Sequence, residues 1–437
     1  MASRNRKIAI PMPLGGLNTI EPFNEDLSYA RELTNYAIVN GRLKTRPSVR
    51  TEIDGDVSLA GLNVHWFDPA TIGAGCEAIL SNANIRTLST GAGATSAGSS
   101  ATYVNAYKIK HVSLELVIGC ATPRLAASPF TATTITSADI TMANVTSAVS
   151  HKGRLYLSDG TILVYSQVAH IAGAITAGNT FSVTEFMDGQ TILRMFSVTA
   201  QPGVTTENLF VIFGSGGRVL VYQGEYPGSS TWALVAKYDM PAPISNTGFL
   251  EIDSDIFVSA QDYCYWFRDL FLQGAQSAYQ NSPCRQIENI WQSAYFVGTT
   301  SLPEASYVWY DKNLDAIITQ VAEKTTGEFD LGLIAEHNNE ACWFVYFRKY
   351  KAWAVWFPTF FCQPVLEYQG AYYGTSSGYP DIVWLDSTRL TDQYAGTTEI
   401  PIYTSWKTPY FAGFDQGTQK LSGVRIFFDD VVDDSGE

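Results

Sequence analysis

Residues 151–167 read HKGRLYLSDGTILVYSQ, and the fold turns on how they are read. Two short apolar runs, Arg154 to Leu157 and Ile162 to Tyr165, flank Ser158-Asp159-Gly160-Thr161. Asp-Gly between alternating apolar runs predicts a hairpin turn, because Gly takes the positive φ that a tight turn demands. An aspartate-box turn of sialidase type would need S-x-D-x-G-x-x-W. Here Ser158 and Asp159 are adjacent and the tryptophan is missing.

Working outward, the same unit recurs. YAIVNGRLKTRP places Asn40-Gly41 between two strands as a type I′ turn. Similar strand–turn–strand units follow at 65–90, 108–127, 208–225, 249–269, 306–321, 342–358 and 365–387. A spacing of roughly 40 to 50 residues is the period of a four-stranded propeller blade. The reading is all-β: a β-propeller of six to eight blades over 56–395. A smaller β-domain is built from an N-terminal hairpin segment, 1–55, and C-terminal strands, 396–437. A pair of β-sandwiches would give similar strands without the fixed period. Helical spacing is scarce, with candidates only at 25–37 and at 284–295, where Ile287, Ile290 and Trp291 fall at i, i+3 and i+4. The Gly/Ser-rich stretch 89–102 reads as a surface connector, and 272–291 as a long insertion serving as a contact element.

Composition agrees. The 437 residues are 46% hydrophobic and 16% charged, which describes an ordered chain. Aromatics at 13% favour pleated, half-buried surfaces. A net charge of −14 argues against a protein built to grip nucleic acid, while an acidic wall would let DNA pass without adhering. No apolar run approaches the ~18 residues a membrane helix needs, and the basic start lacks the apolar core of a secretory signal. Six cysteines show no C-x-x-C pair and read as buried thiols, formed in a reducing compartment.

The sequence offers motifs that approach a chemical site without completing one. Gly214-Ser215-Gly216-Gly217 lacks the Lys-Ser/Thr and helix of a phosphate loop, since Arg218 opens another strand. Glu251, Asp253 and Asp255 alternate and would share one strand face, but a glycosidase pair needs a defined separation. Five scattered histidines offer no metal spacing. No catalytic residue, cofactor or metal is therefore expected. The basic arm Arg4, Arg6 and Lys7 reads as a solvated terminus.

Four segments, in order, resemble the tail nozzle proteins of short-tailed bacteriophages, also called tail tubular protein B or packaged-DNA stabilisation proteins. They are GGLNTIEP at 15–22, ELTNYAIVNGRLKTRPS at 32–48, VSHKGRLYLSDGTILVYS at 149–166, and YTSWKTPYFAGFDQGTQKLSGVRIFF at 403–428. The resemblance implies a structural virion protein, made in host cytoplasm and assembled in the tail. It would form a homohexameric ring below the portal and adaptor rings, beside tail fibres or spikes and a plug or needle. It would retain packaged DNA and later conduct it out, without membrane insertion. Expected assembly contacts are Gly15, Gly16, Leu17 and Asn18, the Asn40-Gly41 hairpin, and Arg46 and Pro47. The alternative from another class is a carbohydrate-binding or glycoside-hydrolysing propeller at a cell surface.

Overall fold

The computed structural model describes residues 12–19, 29–30, 32–53, 64–67, 76–80, 85–89, 92–96, 103–120, 123–126, 131–200, 207–295, 307–321, 342–358, 362–376, 382–389, 391–394, 398–402 and 404–407. The basic arm, most of the Gly/Ser-rich stretch, His337 and the chain after Lys407, with Arg425, lie outside them.

The chain is a β-propeller. Antiparallel meander sheets follow one another along the sequence, each strand paired to the next. The first comprises Val64–Phe67, Cys76–Leu80, Ile85–Ser89 and Ala92–Ser96, and the second Tyr103–His111, Leu114–Cys120 and Arg124–Leu125. The third holds Ser147–His151, Arg154–Ser158, Ile162–Val168 and Thr180–Ser182. Ile192–Ala200, Glu207–Gly214, Arg218–Gln223 and Ala233–Asp239 form the fourth; Phe249–Ile252, Asp255–Ser259 and Cys264–Trp266 the fifth. The sixth is Tyr307–Asp311, Ala316–Val321, Cys342–Phe347 and Ala352–Trp356. The seventh takes Cys362–Tyr368, Ala371–Ser376 and Ile382–Asp386 from the late chain and its outer strand, Ser48–Ile53, from the early chain. That strand falls within 1–55, so the propeller reaches into the segment expected to belong wholly to the second domain.

Neighbouring sheets are joined by a repeated device. His111 and His151 each end the first strand of their sheet. The His111 ring bonds Ser150 Oγ at 2.9 Å, and the His151 ring bonds Ser197 Oγ at 2.8 Å, each serine lying on the next sheet's first strand. Burial pushes both imidazoles down, His151 to about 4. The neutral ring therefore contributes stability above the unfolded value near 6.5, and that contribution fades as pH falls towards 4.

The largest hydrophobic cluster joins the sixth sheet to the turn Pro283–Ile287 and the helix Glu288–Tyr295 that precede it, while the helices Phe267–Gln273 and Ala275–Gln280 pack with the fourth and fifth sheets. Ile287, Ile290 and Trp291 are buried, as their spacing predicts. Trp291 Nε1 donates to Ala260 O at 2.9 Å, Trp353 Nε1 to Pro283 O at 2.7 Å and Trp356 Nε1 to Tyr36 O at 2.7 Å. Each indole is thus apolar ballast with its one polar atom satisfied, and truncation to alanine would cost about 3–5 kcal/mol. Where the structure describes the helix candidate at 25–37, it has strands instead: Tyr29–Ala30, Glu32–Thr34 and Tyr36–Val39; residues 25–28 lie outside the described residues. Pairing with neighbouring strands outweighs a weak local helical spacing there.

At the sixth–seventh junction, Asp311 is buried, its Oδ1 accepting from Asn313 N at 2.8 Å and Leu314 N at 3.1 Å. Burial pushes its carboxyl up to about 6, with the Glu367 charge adding to the effect and the backbone donors opposing it. The folded state holds the proton more tightly than the unfolded state, so stability rises as pH falls from about 6 towards 4. Asp311→Asn keeps the oxygen acceptor and removes the charge. It is expected to stabilise the protein at pH 8 by on the order of 2 kcal/mol, and to lose that advantage by pH 4. Thermal melts of both proteins across this range check it; equal melting temperatures at pH 8 would sink it.

Candidate assembly interface

The expected contact residues fall in a short chain that starts on the sixth sheet. Gly16–Leu17 pairs in parallel with Tyr29–Ala30, and Asn18 N donates to Ala30 O at 2.9 Å. Gly16 has φ +78°, and a Cβ there would lie 2.5 Å from Trp353 N and 2.7 Å from Ala352 Cβ. Glycine is required because the backbone rests directly on the Ala352–Trp356 strand. Thr19 N donates to Gln286 O at 2.9 Å, fastening the same segment to the short 3-10 turn Pro283–Ile287. Gly15 and Asn18 are half-buried, and Leu17 is placed by its backbone alone.

Glu32–Thr34 then enters the sixth sheet as an added strand. Thr34 lies beside Val355 in parallel, and Glu32, Leu33 and Thr34 pair antiparallel with Lys407, Trp406 and Ser405. The early and late chain therefore meet in one six-stranded sheet continuous with the propeller.

The Asn40-Gly41 turn is as the sequence predicts, with φ +51° and +73° and Val39 opposite Arg42. Asn40 is exposed, and Gly41 N donates to the Tyr350 hydroxyl at 2.8 Å. This turn is the exposed part of the expected set.

Arg46 and Pro47, expected at an assembly contact, are buried within the protomer. Arg46 Nε donates to Asn35 Oδ1 at 3.0 Å. Its Nη1 donates to Asp392 Oδ1 and to Pro47 O, both at 2.9 Å. Its Nη2 donates to Asp392 Oδ2 at 2.6 Å and to Phe357 O at 2.9 Å. Five guanidinium N–H groups thus meet partners from four places in the sequence. That planar fork suits a bidentate carboxylate, where a lysine would leave acceptors unmet. Asp392 Oδ1 also accepts from Val49 N at 2.9 Å, and Asn35 Oδ1 from Phe357 N at 2.7 Å. Asn35 and Asp392 carry no sequence signal, since their partners lie up to 346 positions away.

The candidates for chemistry are consumed locally. Asp159 Oδ1 accepts from Thr161 N, Thr161 Oγ1 and Ile162 N, each at 2.9 Å. Burial works to raise its carboxyl, but these donors prevail and hold it below the usual range. In the Gly214–Gly217 loop, the N–H groups of Gly216 and Arg218 donate to Gln190 Oε1, both at 3.0 Å, where a phosphate loop would keep them for its ligand. Glu251, Asp253 and Asp255 do not share a strand face. Asp253-Ser254 is itself a turn with φ +51° and +60°, which reverses the chain between the other two. Asp255 Oδ1 instead accepts from Arg268 N at 2.9 Å in the first turn of the following helix. Cys264 and Cys284 are buried free thiols, with Cys264 N donating to Cys284 Sγ at 2.9 Å. Among the described residues, no group of three or more His, Cys, Asp or Glu could hold a metal ion, and no helix is long and apolar enough to cross a membrane.

No family model matches the chain, and no curated protein matches it. Solved structures similar to it include Raptor from Chaetomium thermophilum, at 9% identity and TM-score 0.41 over 85% of this chain and 30% of that one. The chain thus spans less than a third of the Raptor chain. BBS1N in complex with ARL6DN is 11% identical, with TM-score 0.39, over 78% of this chain and 98% of that one. BamB from Moraxella catarrhalis is 11% identical, with TM-score 0.37, over 79% and 98%.

Proposed function

We propose that the chain is a structural virion protein: a subunit of a ring-shaped tail nozzle that retains packaged DNA and conducts it out. One observation carries most weight. The early strand Glu32–Thr34 lies between the sixth sheet of the propeller and the late strand Ser405–Lys407. A rigid platform fused to a propeller suits a part that transmits load within an assembly. The net charge of −14 fits a conduit that sheds DNA. Polar groups that could have served catalysis are spent on turns and helix ends instead.

In this reading the protein assembles with itself, as a hexamer, on the adaptor and portal rings of a short-tailed phage. Fibres or spikes and a plug or needle are its other neighbours. Sedimentation velocity of the purified protein, alone and then mixed with a portal–adaptor complex, tests it. A ring alone, or one formed only on the complex, is expected. A persistent monomer that ignores the complex would overturn the proposal and direct attention to glycan binding.

A further inference from the structure

In an antiparallel meander, successive turns fall alternately on the two faces of the disc. Sorting the described turns this way separates charge. The turns from first to second and from third to fourth strands carry Lys152, Lys312, Arg348, Lys349 and Lys351. Glu225, Asp253 and Asp315 share that face, and Arg348 bridges the two aspartates, at 2.5 Å to Asp253 and 3.5 Å to Asp315. The turns from second to third strands, with the connections from the third sheet to the fourth and from the fourth to the fifth, carry Asp159, Glu185, Asp188, Asp239 and Asp262, with Arg218 paired to Asp188 and to Asp239. Among these described turns, cations outnumber anions on one face and anions outnumber cations on the other.

The cationic side is sharpest where two hairpin tips meet. Gly41 N on Tyr350 Oη joins the Asn40-Gly41 turn to the turn at 348–351. Arg42 and Lys44 are exposed on one side of their strand, and Lys349 and Lys351 are exposed on the adjoining turn. Two residues along a strand span about 7 Å, so Arg42 and Lys44 are spaced as separate charges on theirs. The anionic side is sharpest between the third and fourth sheets, around the helix Thr184–Met187. There Glu185 and Asp188 are exposed beside the large apolar side chains Phe186 and Ile162, which are 36% and 38% exposed. The two regions lie on different arcs of the disc, with the fifth sheet between them on one side and the seventh, first and second on the other.

We infer that the cationic hairpin pair docks on the anionic face of a second copy of this chain, with Phe186 as the apolar centre of the contact. The inference rests on the ring reading above and names the surface that reading uses. The partner is identified by complementarity within one sequence: two different, oppositely charged patches give a head-to-tail contact. Such a contact repeats from copy to copy and closes into a ring when its rotation allows. Exposed ion pairs add little affinity singly, but together they set orientation and encounter rate.

Sedimentation velocity at about 50 and about 300 mM salt, spanning strong and weak screening, tests it with charge reversals. Lys349→Glu with Lys351→Glu is expected to weaken self-association about tenfold or more, as is Glu185→Lys with Asp188→Lys. The four reversals combined restore opposite charges across the contact and should recover association. Arg218 keeps Asp239 in the second pair of changes, and a thermal melt verifies that each variant folds. If the ring forms with unchanged affinity in both double variants, or if the fourfold variant fails to recover while remaining folded, the inference is overturned and the nozzle reading stands. A wild-type protein that stays monomeric at low salt and on the portal–adaptor complex overturns both.

Discussion

Arg46→Ala is expected to cost about 3–5 kcal/mol of stability, because it strands the Asp392 carboxylate in the interior with its counter-charge gone. Arg46 and Asp392 are both almost fully buried, so water does not replace the lost partner. The same change frees Asn35 Oδ1 from one of its donors and leaves the carbonyls of Pro47 and Phe357 without the guanidinium. Arg46→Lys should recover little, since the three N–H groups of an ammonium at one point cannot reach the five acceptor atoms arranged around a planar fork. Removing both charges, as Arg46→Leu with Asp392→Leu, should be much milder than Arg46→Ala, because no uncompensated ion remains. Chemical denaturation of the three variants measures this. A single variant as stable as the wild type would mean that the carboxylate finds water, contrary to its burial. Propeller, hairpin and late chain are pinned at this point, so the single variant should also loosen the Glu32–Thr34 strand. Faster amide exchange there would report it.

Gly16→Ala is expected to displace the N-terminal segment from the propeller at a cost of about 3 kcal/mol or more, combining overpacking with a left-handed backbone that a Cβ disfavours. Two of the three nearest atoms are main-chain N and O of Trp353 and the third is Ala352 Cβ, none of which can swing aside as the tip of a long side chain could. This variant also separates two roles. If Gly16 serves only internal packing, the melting temperature falls while the association constant of the remaining folded protein is unchanged. If it meets a neighbouring copy, association weakens beyond what the stability loss explains. The position of Gly16 against Ala352 and Trp353 favours the first result. A Gly16→Ala protein with wild-type stability would show that the segment can shift without penalty.

Period-two alternation made the meanders legible from the sequence. Asn40-Gly41 and Asp159-Gly160 marked turns correctly because turn chemistry is local. Local signals fail where a partner lies far away. Nothing near Arg46 announces Asp392, and nothing near His111 announces Ser150. The five histidines look scattered along the chain, although two occupy equivalent positions in neighbouring sheets. Alternation misled at Glu251–Asp255: the period of two continues through a turn whose residues, Asp253 and Ser254, both adopt positive φ. Strand preference decided 29–39 against a weak helical spacing because Ala30, Leu33, Ala37 and Ile38 are all buried in the shared core. The assembly set divided in the same way. The turn residue Asn40 is exposed, whereas Arg46 is spent inside the protomer.

The strand Ser48–Ile53 finds its partner only at Ile382–Asp386. On a ribosome adding about 5–20 residues per second, the roughly 330 residues between them take on the order of 15 to 65 seconds to appear. For that time the early strand exists without its neighbour while the intervening sheets can already form. Closing the circle is therefore necessarily a late event in the life of each molecule, and the nascent chain carries an unpaired edge throughout elongation. An edge of that kind invites the wrong strand. Its protection during synthesis falls to whatever attends the ribosome, not to the finished fold.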